Sequence, residues 1–216
     1  MLERMGEFFD ARLEGYDAHM LNEIESAREF YPYTASLLPR EDGASVLDLG
    51  CGTGLELEYY FELSPNAKIT GIDLAEGMLG ALRAKFPDKD IELIRASYFD
   101  EPFGEERYSA AVSVESLHHF TKEEKIPLYA KLRRALKDGG FFILTDYFAG
   151  SDDEERLYRR ELETLKRSEG ITDGEFYHYD TPLTVDNEVD ALIKAGFSRV
   201  EHLRAWGNTH TLKAYK

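Results

Sequence analysis

The run Val46-Leu47-Asp48-Leu49-Gly50-Cys51-Gly52-Thr53-Gly54 constrains the fold more than any other stretch of this chain. Val46, Leu47 and Leu49 are apolar strand formers. Three glycines at alternate positions then free the backbone to take positive φ and to lie against a ligand with no side chain in the way. Leu55 to Leu63 follows with apolar residues at Leu55, Leu57, Tyr59, Tyr60, Phe61 and Leu63, which suits a mostly buried helix whose N-terminal amides face the turn. The segment reads as a strand, a glycine turn and a helix, the opening of an α/β fold.

The glycine spacing narrows the ligand. The dinucleotide pattern G-x-G-x-x-G is absent; the turn reads G-x-G-x-G, with Asp48 two residues ahead of the first glycine. A carboxylate there gains nothing from a pyrophosphate, whereas it attracts an amino group or a cationic sulfonium. At this point the chain resembles the class I methyltransferases that use S-adenosylmethionine (SAM), whose first motif is similar to Asp48-Leu49-Gly50-Cys51-Gly52-Thr53-Gly54. The resemblance implies a Rossmann-like, doubly wound, seven-stranded sheet, mostly parallel with a C-terminal antiparallel hairpin. It also implies cofactor contacts at Asp48, Gly50, Cys51, Gly52 and Gly54.

Three further stretches test the resemblance. Lys68-Ile69-Thr70-Gly71-Ile72-Asp73 is a second short strand ending in an acid about twenty residues past the first motif, where nucleotide folds place a carboxylate on the ribose hydroxyls. Asp73 is the ribose candidate and also a candidate N-cap for a helix from Ala75 to Phe86. Leu74 and Met78 then flank the adenine. Residues 91–103 resemble the third strand and adenine loop, with Ser97 and the Tyr98 backbone amide as contacts. Many family members carry an acid where Ser97 stands, and a hydroxyl accepts a bond but brings no charge. Residues 108–120 give a fourth strand whose end, at Val114 and Glu115, would lie beside the methionine part of the cofactor, since ligands of open α/β sheets sit outside those strand ends. Its continuation into Leu117-His118-His119-Phe120 looks like the small-molecule branch of the family. The Asp or Asn followed by two prolines and an aromatic of the amino-methylating nucleic-acid enzymes is missing. Cys51, the single cysteine, falls in the cofactor turn, so no cysteine nucleophile for cytosine is offered.

Composition adds bounds. A chain of 216 residues suits one domain, here 1–216, with a core that needs no disulfide. The formal net charge of −16 disfavours a polyanionic partner, so no nucleic acid is expected. No apolar stretch of spanning length and no leader are read, so the expectation is a cytoplasmic protein without a membrane partner, monomeric or homodimeric.

Residues 1–43 read as a helical cap, with a helix around Ala27 to Leu38 broken by Pro32. Ile126 to Leu136 reads as an amphipathic helix stopped by Lys137-Asp138-Gly139-Gly140, ahead of a fifth strand from Phe141 to Thr145. A helix from Thr184 to Lys194 and two strands, Val200 to Arg204 and Thr209 to Tyr215, close the chain. Residues 149–183 form an insertion over the C-terminal edge of the sheet, opening with the capped helix start Ser151-Asp152-Asp153-Glu154-Glu155 and read as a lid or substrate wall.

Methyl transfer is an in-line displacement that asks mainly for alignment and the exclusion of water, with a base only where the acceptor is a hydroxyl or an ammonium. His118 and His119 are the catalytic candidates, one on each side of the strand end. Tyr16, Tyr147, Tyr177 and His178 are the substrate-binding candidates. No histidine pair has ligand spacing on an expected helix, so no metal site is assigned. The expected activity is methylation of a small-molecule acceptor, with S-adenosylhomocysteine as product. The alternatives are a SAM-binding protein without methylation activity, or one using a carboxylated SAM, and at greater distance an NAD(P)-dependent oxidoreductase. A carboxylated cofactor calls for an arginine near the sulfonium, and the matched motifs hold none beyond Arg95.

Overall fold

Three helices, α1 (Met5–Ala11), α2 (Tyr16–Glu23) and α3 (Ala27–Ser36), precede the first strand in the computed structural model, which describes residues 1–216. Then β1 (Ser45–Leu49), α4 (Leu55–Leu63), β2 (Lys68–Asp73), α5 (Glu76–Lys85), β3 (Ile91–Arg95) and β4 (Tyr108–Val114) follow in alternation. A single 3-10 turn, Leu117–His119, leads into α6 (Lys122–Ala135), β5 (Leu136–Tyr147), α7 (Asp152–Ser168), α8 (Val185–Lys194), β6 (Arg199–Trp206) and β7 (Thr209–Tyr215). The seven strands form one sheet in the order β3-β2-β1-β4-β5-β7-β6. All pairings from β3 to β5 are parallel; β7 runs antiparallel to both β5 and β6. The strand order reverses between β1 and β4, so the crevice at their C-terminal ends is where such a sheet holds a ligand.

Side-chain parity splits the core into two layers. Leu47 and Leu49 of β1 join Ala111, Phe142, Leu144 and Leu212 beneath α6 and α8. Val46, one residue away and therefore on the other face, joins Ile69, Val112 and Ile143 beneath α3, α4 and α5. Parallel strands covered on both faces must be apolar on both, which is why β1 and β4 read as runs rather than alternations. Buried hydroxyls tie α3 to the sheet: Thr34 meets Thr145 at 2.6 Å, and Thr145 meets Thr211 at 2.9 Å. No helix is long and apolar enough to cross a membrane.

Several expected boundaries move. Helix α3 runs through Pro32 unbroken, because Phe30, Tyr31, Thr34 and Ala35 on either side are buried against α4 and β5 and hold it together. Helix α6 starts four residues earlier than its apolar pattern, at a capping box in which Thr121 accepts from the Glu124 amide and the Glu124 carboxylate accepts from the Thr121 amide. The glycines of Lys137-Asp138-Gly139-Gly140 do not stop a helix; they lie inside β5, beside a register shift against β4. The capped start at Ser151 is present, its hydroxyl accepting from the Glu154 amide, yet α7 has no buried residue. His118 and His119 share the 3-10 turn and face the same side, so the expected division of the pair across the strand end does not occur.

Candidate functional site

The glycine turn closes on itself through the backbone. Gly50 and Cys51 donate to the Ile72 carbonyl at 2.9 and 3.3 Å, and the Gly52 amide donates to Asp73 Oδ2 at 2.9 Å. Gly50 is demanded twice over, since its φ is +73° and a Cβ there would lie 2.0 Å from Ser116 Oγ. Asp73 also accepts the Ala75 amide at 2.8 Å through Oδ1; the N-cap of α5 is Ala75, with no side-chain cap bond, so Asp73 braces the turn ahead of the helix and the expected N-cap role does not occur. Burial raises its pKa above the usual carboxylate value, against the pull of those amides.

A narrow cleft of about 60 Å³ runs over this turn, walled by Gly50, Gly52, Asp73, Leu74 and Met78 below, by Val114, Glu115 and Ser116 at the end of β4, and by Tyr98 and Phe120. Met5, Phe9 and Tyr16 of the cap roof it. Asp48 and Cys51 do not line this cleft. Parity places Asp48 on the Val46 face, fully buried beneath α4, with one carboxylate oxygen unpartnered like one oxygen of Glu56. Burial and then the neighbouring Glu56 push the Asp48 pKa well above the carboxylate range, which favours its neutral form. Cys51 is buried against Gly71, and Gly54 is the left-handed N-cap of α4. Ser97 lies outside the cleft and accepts from the Phe99 amide at 3.2 Å, whereas the Tyr98 ring lies in the wall, its hydroxyl 3.2 Å from Ser116 Oγ.

A second, much larger cavity of about 1020 Å³ opens beside the first. Phe9, Tyr16, Glu115 and His119 belong to both walls, so the two spaces meet at the C-terminal end of β4. Glu115 sits at that junction with φ of +49°, a left-handed backbone that a non-glycine residue rarely adopts and that clusters at functional sites. Burial, and then Asp146, push its pKa up to about 8, against the opposing effects of His118 and of Thr209, whose hydroxyl donates to Oε1 at 3.2 Å.

The histidine pair forms the floor of the large cavity. Asp146, at the end of β5, is fully occupied: Oδ2 accepts the Leu117 amide at 2.9 Å, and Oδ1 accepts the Tyr147 amide at 3.0 Å and lies 2.6 Å from His118 Nδ1. Burial works against a charge on His118, but Asp146 and then Asp180 outweigh it and hold its pKa well above the usual histidine value. Burial and the neighbouring His118 instead lower that of His119. Tyr147 and His178 line the same cavity, with His178 stacked on Phe8; burial pushes the His178 pKa down to about 4. Tyr177 lines neither space, because its hydroxyl turns out to Asp173 at 3.1 Å.

Asp146, Asp180 and Trp206 were not among the expected site residues. The first had a signal, since an acid at the C-terminal end of β5 lies one strand over from Glu115. Asp180 had none: a strap of residues 176–181 carries it in, joined to α1 by Met5 N to Phe176 O at 2.9 Å and to the histidine turn by Thr181 N to His118 O at 2.8 Å.

Residues 46–140 match a methyltransferase domain family. A sterol 24-C-methyltransferase of Gibberella zeae is 26% identical over 79% of this chain and 43% of its own length, so the match spans less than half of that protein. A carboxy-S-adenosyl-L-methionine synthase of Wolinella succinogenes is 28% identical over 99% of this chain and 92% of its own. Among solved structures, a putative O-methyltransferase from Nostoc punctiforme superposes with a TM-score of 0.73 at 20% identity, covering 99% of this chain and 62% of that one.

Proposed function

We propose that this chain, whose residues 46–140 match a methyltransferase domain family, is a class I SAM-dependent methyltransferase that transfers a methyl group from SAM to a small-molecule acceptor held in the large cavity. The observation that carries this reading is the meeting of the two spaces, whose walls share Glu115 and His119: a narrow cleft over the glycine turn on one side and a much larger cavity on the other.

The residues of the cleft fit the cofactor. Leu74 and Met78 offer apolar surface for an adenine, Asp73 keeps lone pairs for ribose hydroxyls beyond its two amide bonds, and the bare backbone of Gly50 and Gly52 lets the ligand lie close. Asp48 supports the turn from behind, with Cys51 and Gly54 shaping its backbone, while Tyr98 closes the adenine end and Val114 and Glu115 the methionine end. When bound, SAM supplies an electrophilic methyl on a positively charged sulfur. The cap excludes water from the opening, and the walls align an acceptor lone pair about 3 Å from the methyl. Glu115 Oε2, left free by the bond at Oε1, is placed to take the acceptor's proton, and a positive charge in the cleft favours its carboxylate form. His118 and His119 present the polar floor against which the acceptor is oriented, with Tyr16, Tyr147 and His178 as its sides.

Use of a carboxylated SAM is the second reading, favoured by the Wolinella relative. Arg12 is the one guanidinium in either wall. It already pairs with Glu3 at 2.9 Å and lies over the Phe8 ring, while Arg95 pairs with Glu76 outside the cleft. No arginine is left free to hold the added carboxylate, so plain methyl transfer is preferred.

Calorimetric titration with SAM and S-adenosylhomocysteine, with NAD as control, tests the cofactor, and mass spectrometry of candidate acceptors after incubation tests the transfer. Micromolar binding of the first two and none of NAD is expected; binding of NAD alone overturns the proposal. Replacing Asp73 with Ala should weaken SAM at least about tenfold, roughly 1.4 kcal/mol, through the lost ribose bonds. Unchanged affinity would place the cofactor elsewhere.

A further inference from the structure

Three ligand-type atoms converge on the floor of the large cavity. His118 Nε2 lies 3.5 Å from Asp180 Oδ1, and His119 Nδ1 lies 3.2 Å from the same oxygen. All three atoms fall within 4.8 Å of one another. Ligands about 2.1 Å from a common ion are separated by roughly 3 Å when cis and by about 4 Å when opposed, so this triangle has the dimensions of one face of a coordination sphere.

The surroundings of the triangle are those that a metal-binding histidine requires. His118 gives its other nitrogen to Asp146 at 2.6 Å, and Asp146 is fixed in turn by two backbone amides. Such a carboxylate behind a ligating imidazole sets the tautomer and the ring orientation and raises the basicity of the ligating nitrogen. Both imidazoles are buried, so their rings cannot swing away. Asp180 is held opposite them by the Thr181 amide, which donates to the His118 carbonyl at 2.8 Å. Its side chain is half exposed, and the exposure is toward the cavity, which leaves the far side of the triangle open to a ligand.

We propose that His118 Nε2, His119 Nδ1 and Asp180 Oδ1 bind a divalent first-row transition-metal ion, a two-histidine, one-carboxylate face whose open positions point into the acceptor cavity. On binding, the ion takes the place of a proton on His118, and His119 Nδ1 gives up its long contact of 3.3 Å to the Tyr179 carbonyl. Two nitrogens and one oxygen suit zinc, iron(II), cobalt(II) or manganese(II) rather than calcium or magnesium, which prefer all-oxygen sites. The acceptor class follows from the open positions: a molecule with an oxygen donor beside its methyl-accepting atom, which the ion would hold at the junction with the cleft. The ion site itself does not depend on the methyl-transfer reading; only this role for it does.

Titration of the metal-free protein with cobalt(II) at mildly alkaline pH, followed by visible absorption, tests the site without any need for activity. One saturable equivalent with ligand-field bands is expected. His119→Ala and Asp180→Asn should each weaken it at least about tenfold while far-UV circular dichroism and the urea midpoint stay close to those of the parent, which shows that the variants are folded. The surface pair His202 and His210, 3.1 Å apart on the terminal hairpin, is the competing locus, so His202→Gln should leave the spectrum unchanged. Absence of saturable cobalt binding overturns the proposal. So does binding that survives both cavity variants, or that is lost with His202.

Discussion

Asp48 shows how spacing alone can place a residue near a turn and still aim its side chain the wrong way. Its place two positions ahead of Gly50 says that it is near the turn; which face of β1 it occupies follows from parity with Val46, whose side is covered by α3 and α4. It therefore meets Glu56 instead of the cleft, and this has a consequence for stability. In the folded chain burial and Glu56 keep the Asp48 proton on well above the ordinary carboxylate range, whereas the unfolded chain releases it near pH 4. Above that point the folded state binds more protons than the unfolded one, so this pair makes stability fall as pH rises toward its folded pKa. Asp48→Asn keeps the shape, cannot ionise and can donate to Glu56, and should remove that part of the slope. Urea midpoints measured from mildly acidic to alkaline pH should decline less in the variant than in the parent. Parallel declines would mean that Asp48 does not keep its proton in the folded chain. Gly50 was legible in full, because positive φ and close approach both exclude a side chain there, whereas Asp180 was not, because its neighbours in space come from residues sixty positions away.

Elements set which motions the site needs. The cleft over the glycine turn has only about 60 Å³ free beneath Met5, Phe9 and Tyr16, so a nucleoside ligand enters or leaves only if the cap formed by α1 and α2 moves. Asp17 on α2 fastens that cap, accepting from Thr53 in the turn and pairing with Lys85 on α5 at 2.7 Å. Asp10 on α1 adds a bond from the Gly77 amide at 2.8 Å. Removing the first clasp by Asp17→Ala should raise both the association and the dissociation rates of SAM several-fold in stopped-flow fluorescence, with a smaller change in affinity, as expected of a gate. Rates equal to those of the parent would show that the cap is not what limits passage. The sheet and its helices were legible from apolar periodicity, and the errors came where another effect competed with it. The start of α6 was missed because Lys122, Glu123 and Glu124 look solvated, although Thr121-x-x-Glu124 is a capping box. Pro32 was read as a break because a missing amide is local, while the burial that carries α3 across it is tertiary.

At the scale of the whole molecule the sheet order, with its reversal between β1 and β4, fixes where a ligand sits, and the charge fixes how it arrives. The chain carries −16 formally, and the mouth of the large cavity includes Glu14, Glu23 and Glu25 with Glu115 and Asp180 deeper inside. SAM has a net positive charge through its sulfonium, whereas S-adenosylhomocysteine, without the methyl, is a zwitterion of no net charge. A field of one sign raises the encounter rate of an oppositely charged ligand and does so only over the Debye length, about 30 Å at 0.01 M salt and about 8 Å at 0.15 M. The association rate constant of SAM should therefore fall by roughly threefold to tenfold between those salt concentrations, with little change in dissociation. That of S-adenosylhomocysteine should stay nearly flat, because the same cap and the same cleft admit it and only the charge differs. If both ligands slowed alike, salt would be acting on the cap rather than on the encounter, and the acidic surface would have no part in cofactor capture. A steep slope for SAM alone would tie the composition of the whole chain to the chemistry of the proposed cofactor.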